Sequence, residues 1–228
     1  SEGPWVLIAS AFGLGKRVPV TQFRLQKRAG MGLRAIKFRI KDDINISKAP
    51  FKFKDLEKGV KRLASEVISS RPIGIFGDYD VDGATSAALL KLFLQYFGIE
   101  VHIHIPDRFL EGYGPNISAL NSLVSKGSNL IITVDCGINS HEPLKELNKT
   151  DIDCIIIDHH TPDDDLPPAF SIVNPKRKEN GIEYHYLSAV GVTFIMIVGL
   201  TRELRQRGVF QKIKEPDLFR FLDLVALG

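Results

Sequence analysis

The residues Ile73-Gly74-Ile75-Phe76-Gly77-Asp78-Tyr79-Asp80-Val81-Asp82-Gly83 constrain the chain more than any other stretch. A short apolar run ends in three aspartates at alternate positions, then a glycine. This is the pattern of a buried strand that delivers carboxylates into a loop just before a helix. Three acids packed this closely repel one another, so they must be well solvated or held together by a cation.

Two later strands end in the same way. Residues 130–134 run into Asp135-Cys136-Gly137, and residues 154–157 run into Asp158-His159-His160. Between these points the apolar pattern alternates in type. Leu56, Val60, Leu63, Ala64, Val67 and Ile68 have helical spacing. Strands are expected at 73–76, 101–105, 130–134, 154–157 and 171–173. Helices are expected at about 84–97, 116–126, 141–148, 187–204 and 216–227. The strands are continuous apolar runs, as a sheet covered on both faces requires. The fold class is therefore α/β, a doubly wound parallel sheet.

In such a sheet, ligands sit at the carboxyl ends of the strands. Taken singly, each cluster has a bland reading. Asp82 could cap the helix that follows it, Asp135-Cys136-Gly137 could be a turn, and the histidine pair could be solvated. Taken together, three acidic strand ends at one edge point to a metal site. Oxygen ligands with imidazole suit Mn²⁺, and less well Mg²⁺. Four or more carboxylates suit two ions better than one. Ions roughly 3.5–4 Å apart bind the attacking and leaving oxygens of a phosphoester displacement. No phosphate loop of the G-x-x-x-x-G-K-[ST] type competes with this reading.

The 228 residues allow one medium domain, or one domain with an appendage. Charge divides the chain. Residues 1–41 hold nine Lys/Arg and one acid, Glu2, whereas the remainder holds 21 Lys/Arg and 26 Asp/Glu. The expected division is a basic β-rich segment (1–41), a polar linker (42–53) and an α/β domain (54–228). Within the first segment, residues 5–9 form an apolar run and residues 33–41 alternate. No run approaches the roughly 20 apolar residues of a membrane span, and no signal segment opens the chain. Two cysteines, Cys136 and Cys154, lack zinc-type spacing and read as small buried apolar residues. The expected compartment is a reducing cytoplasm.

The motifs Asp78-Tyr79-Asp80-Val81-Asp82-Gly83, Val134-Asp135-Cys136-Gly137 and Asp158-His159-His160 resemble the first three motifs of the DHH phosphoesterases. Asp223, in Leu222-Asp223-Leu224-Val225-Ala226-Leu227-Gly228, resembles the fourth. Three further segments are similar to the RecJ branch of that family, the single-strand-specific 5′→3′ DNA exonucleases of repair and recombination. They are Pro106-Asp107-Arg108-Phe109 with Glu111-Gly112-Tyr113-Gly114, Val173-Asn174-Pro175, and Leu187-Ser188-Ala189-Val190-Gly191-Val192. The resemblance implies that Asp80, Asp82, Asp135, His159 and Asp223 are metal ligands for two Mn²⁺ ions, with Asp135 bridging and Mg²⁺ as the other candidate. It implies that His160 faces the scissile phosphate and that Arg108 and Tyr113 hold the strand. It also implies single-stranded DNA as partner, with single-stranded-DNA-binding protein and a helicase. Some relatives carry a histidine at the position of Phe76, so Asp78 is taken as an additional candidate ligand. The family continues past its fourth motif into a second domain, so the expectation is a truncated chain with weak activity or none. The same chemistry on dinucleotides, short oligonucleotides or pyrophosphate is the alternative substrate class. A nonenzymatic nucleic-acid-binding fragment is the alternative of a different kind.

The basic segment is similar to something else. Gly15-Lys16-Arg17-Val18-Pro19, Phe23-Arg24 and Gln26-Lys27-Arg28-Ala29-Gly30-Met31-Gly32 resemble one blade of the C-terminal propeller of the gyrase A protein, a DNA-wrapping module. One blade cannot close a propeller. The segment is read as a fusion or assembly artefact, ahead of a chimera or a DNA-binding arm.

Overall fold

Strands without a polar face must be covered on both sides, and helices of the chain supply both covers. The computed structural model describes residues 5–9, 15–19 and 53–228. Strands β1 (Trp5–Ala9) and β2 (Gly15–Pro19) pair antiparallel, Trp5 opposite Pro19. The expected strand at 33–41 and linker residues 42–52 lie outside the described residues. The last linker residue, Phe53, is buried in the core, its ring edge-on to Tyr184 at 4.8 Å.

The main sheet comprises β3 (Ile73–Gly77), β4 (Val101–His104), β5 (Leu130–Val134), β6 (Asp153–Ile157) and β7 (Ser171–Val173). All are parallel, in the order β4-β3-β5-β6-β7. The chain leaves β3 toward one side for β4 and returns to the other side for β5. That reversal opens a crevice beyond the carboxyl ends of β3 and β5, the position where open α/β sheets bind ligands.

Successive strand residues face opposite layers. Ile73, Ile75, Ile132, Val134, Ile155 and Ile157 pack with helices α1 (Leu56–Ile68), α2 (Val81–Tyr96) and α5 (Ala189–Gln206). Phe76, Ile131, Cys154 and Ile156 pack with α3 (Ile117–Ser125) and α4 (His141–Leu147). Helix α5 is apolar on most sides because α1, α2 and the sheet all contact it. Both cysteines are buried and free.

Two expectations change. Ile68, expected on the buried stripe of α1, is 48% exposed, while Glu66 on the same helix is fully buried. Arg62 and Arg71 compensate that charge: Arg71 Nε lies 2.7 Å from Glu66 Oε2, and Arg62 also bonds Glu66. The predicted helix at 216–227 is a 3₁₀ turn (Leu218–Phe221) followed by a short α6 (Leu222–Leu227). The Asp217 carboxylate accepts the Phe219 N–H at 3.1 Å and tightens that first turn. Phe76 belongs wholly to the core: it is fully buried and stacked on His104 at 5.4 Å.

Phe76→Ala removes that ring and is expected to cost roughly 3–5 kcal/mol of stability, read as a lower midpoint of urea unfolding. Phe76→Leu keeps most of the volume and is expected to cost less than roughly 1.5 kcal/mol.

Candidate metal centre

Parallel pairing continues one residue beyond each strand. The N–H of Asp78 donates to Val134 O (3.3 Å), that of Asp135 to Ile157 O (2.9 Å) and that of Asp158 to Val173 O (3.1 Å). The first acid after each of three neighbouring strands is thereby fixed by the sheet itself. All three are buried.

Past Asp78 the chain turns directly into α2. Asp80 caps that helix, its Oδ1 accepting the Gly83 N–H at 3.0 Å. The capping reading considered for Asp82 thus belongs to Asp80. Gly83 is required by contact: a Cβ there would lie 2.6 Å from the Asp78 carbonyl oxygen. Asp82, in the first turn of α2, reaches across to α5. Its Oδ2 accepts the Ala189 N–H (2.7 Å) and its Oδ1 the Val190 N–H (2.8 Å). These are unsatisfied donors of a helix N-terminus, and the carboxylate meets the positive end of the helix dipole.

Asp135 adopts the left-handed conformation, φ 61°, which aspartate and asparagine tolerate better than most residues. Its Oδ1 is buried without a hydrogen bond. His159 Nε2 lies 3.3 Å away and His160 Nδ1 3.9 Å, neither in bonding geometry. Burial pushes the Asp135 carboxyl up to about 6, against the favourable contact with His159, and Asp82 and Asp80 raise it further. Asp78 is also held above the usual carboxylate range, by burial first and by neighbouring Asp80.

Asp158 is the opposite case. Burial works against its charge, but donors outweigh burial and its pKa falls. Its Oδ1 accepts from the N–H of His159 (2.7 Å), the N–H of His160 (3.1 Å) and Nδ1 of His160 (2.8 Å), while its Oδ2 accepts the Ile138 N–H (3.1 Å). The sequence reading assigned Asp158 no role of its own. The available signal was its place one residue beyond a buried strand, where a carboxylate needs partners.

The partners of the two imidazoles set their tautomers. His159 Nδ1 donates to Leu187 O at 3.1 Å, which turns Nε2 toward Asp135 and toward Asp82 Oδ2 at 3.6 Å. His160 Nδ1 donates to Asp158, which leaves Nε2 for another partner. Both imidazoles have raised pKa values, His159 through its contact with Asp135 and His160 through its hydrogen bond to Asp158.

The ligand atoms form two groups, each within 4.8 Å: Asp78, Asp80 and Asp135, and Asp135, His159 and His160. Asp135 is common to both. His160 enters the second group at the margin, because the ring nitrogen nearest Asp135 is the one bonded to Asp158. Tyr113 borders the centre, its hydroxyl 3.4 Å from Asp135 O and from His160 Nδ1. Arg108 stands over the Tyr79 ring at 5.3 Å. Asp223 joins neither group. It is exposed, and its Oδ1 accepts the N–H of Leu224 in its own helix at 2.8 Å. The residues fit a cation on their chemistry: a buried carboxylate oxygen lacks a donor, and the nearest imidazole nitrogen faces two carboxylates. Among the described residues, the ion pairs of Asp82 and Asp135 are with these histidines alone.

Residues 72–228 match the model of the DHH family N-terminal domain. The chain belongs to the DHH family. The chain is 37% identical over 174 residues to the single-stranded-DNA-specific exonuclease RecJ of Haemophilus influenzae, covering 76% of this chain and 30% of that protein. Identity to RecJ of Escherichia coli is 38% over 176 residues, again covering 76% of this chain and 30% of the relative. The chain thus spans about 30% of the length of these relatives. The crystal structure of an exonuclease RecJ bound to manganese superposes with a TM-score of 0.65 at 30% identity, covering 78% of this chain and 43% of that one. Outside the DHH region, residues 4–45 match the DNA gyrase C-terminal β-propeller model. Over 43 residues, 19% of this chain and 5% of the relative, identity to the gyrase A protein of Synechocystis is 61%. Both resemblances read from the sequence are found, as is the α/β parallel sheet.

The raised carboxyl of Asp135 has a measurable sign. Its folded-state pKa lies above its unfolded value, so it costs nothing well below about pH 4, becomes destabilising as pH rises from about 4 to about 6, and has its full cost above that. A rise of this size corresponds to roughly 3 kcal/mol at most. Asp135→Asn keeps the left-handed backbone and removes the charge. In EDTA it is expected to melt higher than the parent at pH 7 and equally at about pH 3. Mn²⁺ is expected to raise the melting temperature of the parent and leave that of the variant unchanged.

Proposed function

We propose that the chain carries the catalytic centre of a metal-dependent phosphodiesterase that degrades single-stranded DNA from its 5′ end. The observation that carries this reading is Asp135, a buried carboxylate common to two ligand groups with an imidazole beside it. The named activity of the RecJ relatives and the manganese in one RecJ structure support it. Residues 53–228 are the catalytic unit, since Phe53 packs in its core, with 42–52 a linker and 1–41 a fused segment outside it.

Asp78, Asp80 and Asp135 would hold one Mn²⁺ ion, and Asp135, His159 and Asp82 a second, with Mg²⁺ as substitute and Asp223 as a further ligand. Ions held there would supply Lewis acidity toward phosphoryl oxygens and would lower the pKa of water. The protein's own groups do the rest. His159 is oriented by Leu187 O, and Asp82 is fixed by the first N–H groups of α5. His160, its pKa raised by the hydrogen bond to Asp158, would in its protonated form direct Nε2–H at the phosphoryl oxygen on which charge develops. Arg108 pairs with a backbone phosphate, and Tyr113 stacks on a base. The expected setting is the cytoplasm, with single-stranded DNA as substrate and with single-stranded-DNA-binding protein and a helicase as partners.

The test offers the chain a 5′-phosphorylated single strand, a dinucleotide and pyrophosphate, each with Mn²⁺. The strand is expected to be shortened from its 5′ end, and to stay intact in Asp135→Ala controls. Faster turnover of the dinucleotide would overturn the polymer reading, and equal cleavage by Asp135→Ala would overturn the centre.

Asp158 acts through His160. Asp158→Asn keeps an oxygen for the backbone donors and loses the charge. It is expected to lower kcat roughly 10²-fold with KM little changed, and to move the alkaline limb of the pH–rate profile to lower pH as the His160 pKa falls. Steady-state kinetics from pH 5 to 9 measure both.

A further inference from the structure

The loop after β4 leaves two large apolar side chains in solvent. Phe109 is 95% exposed and Leu110 86%, the two highest values among the described large hydrophobic residues. We propose that Phe109 and Leu110 form a contact site for an unpaired nucleobase of the strand whose backbone lies at the metal centre. This rests on the single-strand reading above and adds a base site at the loop tip.

The exposure is built into the loop. The Glu111 carboxylate accepts from the Asp107 N–H (3.0 Å), from Asn116 Nδ2 (3.1 Å) and from His104 Nε2 (2.7 Å), pinning the loop to β4 and to the start of α3. Asp107 Oδ1 accepts the N–H groups of Phe109 (2.8 Å) and Leu110 (3.2 Å). The tip's backbone donors therefore point inward and its two side chains outward. Such ordering holds apolar groups where nothing in the described residues covers them, and large exposed apolar side chains held this way mark a contact surface.

The position selects the occupant. Gly112 (φ 80°) and Gly114 (φ 78°) adopt left-handed conformations and bring Tyr113 back to Asp135 and His160. Phe109 and Tyr113 are four residues apart, at most roughly 14 Å along the chain. Arg108 lies beside the tip, its guanidinium over the Tyr79 ring. A cation and aromatic faces in sequence along one loop match a phosphate backbone with splayed bases. In a duplex, neighbouring bases already cover those faces, so the tip is satisfied by an unpaired base alone. A protein partner would leave Arg108 and the adjoining centre without a reason to share the loop.

The experiment measures fluorescence anisotropy of a labelled 5′-phosphorylated strand with the whole chain in Ca²⁺ at several salt concentrations. A second strand has abasic residues at its first three positions. Phe109→Ala/Leu110→Ala is expected to weaken binding of the normal strand about tenfold and to leave both the abasic strand and the salt dependence unchanged. Arg108→Gln is expected to weaken both strands and reduce the salt slope by about one. Equal affinity of the double variant and the parent for the normal strand overturns the base site, and so does an equal loss on both strands. A parent that binds neither strand overturns the single-strand reading itself.

Discussion

Parallel strand pairing is the constraint on which the rest of the molecule depends. Because β3, β5 and β6 run the same way in one register, they end together, and each last ladder bond extends to an aspartate N–H. Three carboxylates that the sequence separates by dozens of residues become neighbours at one edge. No flexible side chain has to find another. The sheet brings the charges together while the apolar layers on either side keep water away from them.

The fold treats these charges in two ways. Asp158 receives a full set of donors and becomes an inert fixed charge that orients His160. Asp135 keeps an oxygen without a donor and is driven toward protonation. Burial is the largest influence on both, so the number of N–H groups aimed at each carboxylate decides the outcome. A carboxylate left wanting is the one available to a cation. Asp82 shows a third solution, in which a surface-side acid is neutralised by the amino end of the longest helix. That contact ties the edge of the centre to the core helix between α1 and α2.

The sheet is legible in the sequence because the three central strands are nearly unbroken apolar runs that end in an acid, whereas the edge strand β4, Val-His-Ile-His, alternates and is only half-buried. The helices are legible through their 3.6-residue spacing. What escapes is long-range or geometric. Nothing near Asp82 indicates that its partners are 107 and 108 residues away in α5. The buried Glu66 breaks the apolar pattern of α1 because two arginines compensate it, and Ile68 is left outside in its place. The 3₁₀ turn before α6 depends on one capping side chain, below the resolution of periodicity. Asp223 is found by resemblance to a motif, and resemblance does not specify where its carboxylate points.

Cys136 immediately follows Asp135, so a thiol lies one residue from the centre. It faces the other way, buried against α3 and α4, its Sγ 3.4 Å from Val134 O. Complete burial keeps it protonated far above the usual thiol range, with Asp158 and Asp78 adding to the effect. A thiolate is what zinc, cadmium and other soft ions seek, and it is also the species that oxidants attack. By turning this sulfur into the core, the fold withholds it from both. The centre is therefore left to oxygen and imidazole donors, although its sequence places sulfur beside the central carboxylate.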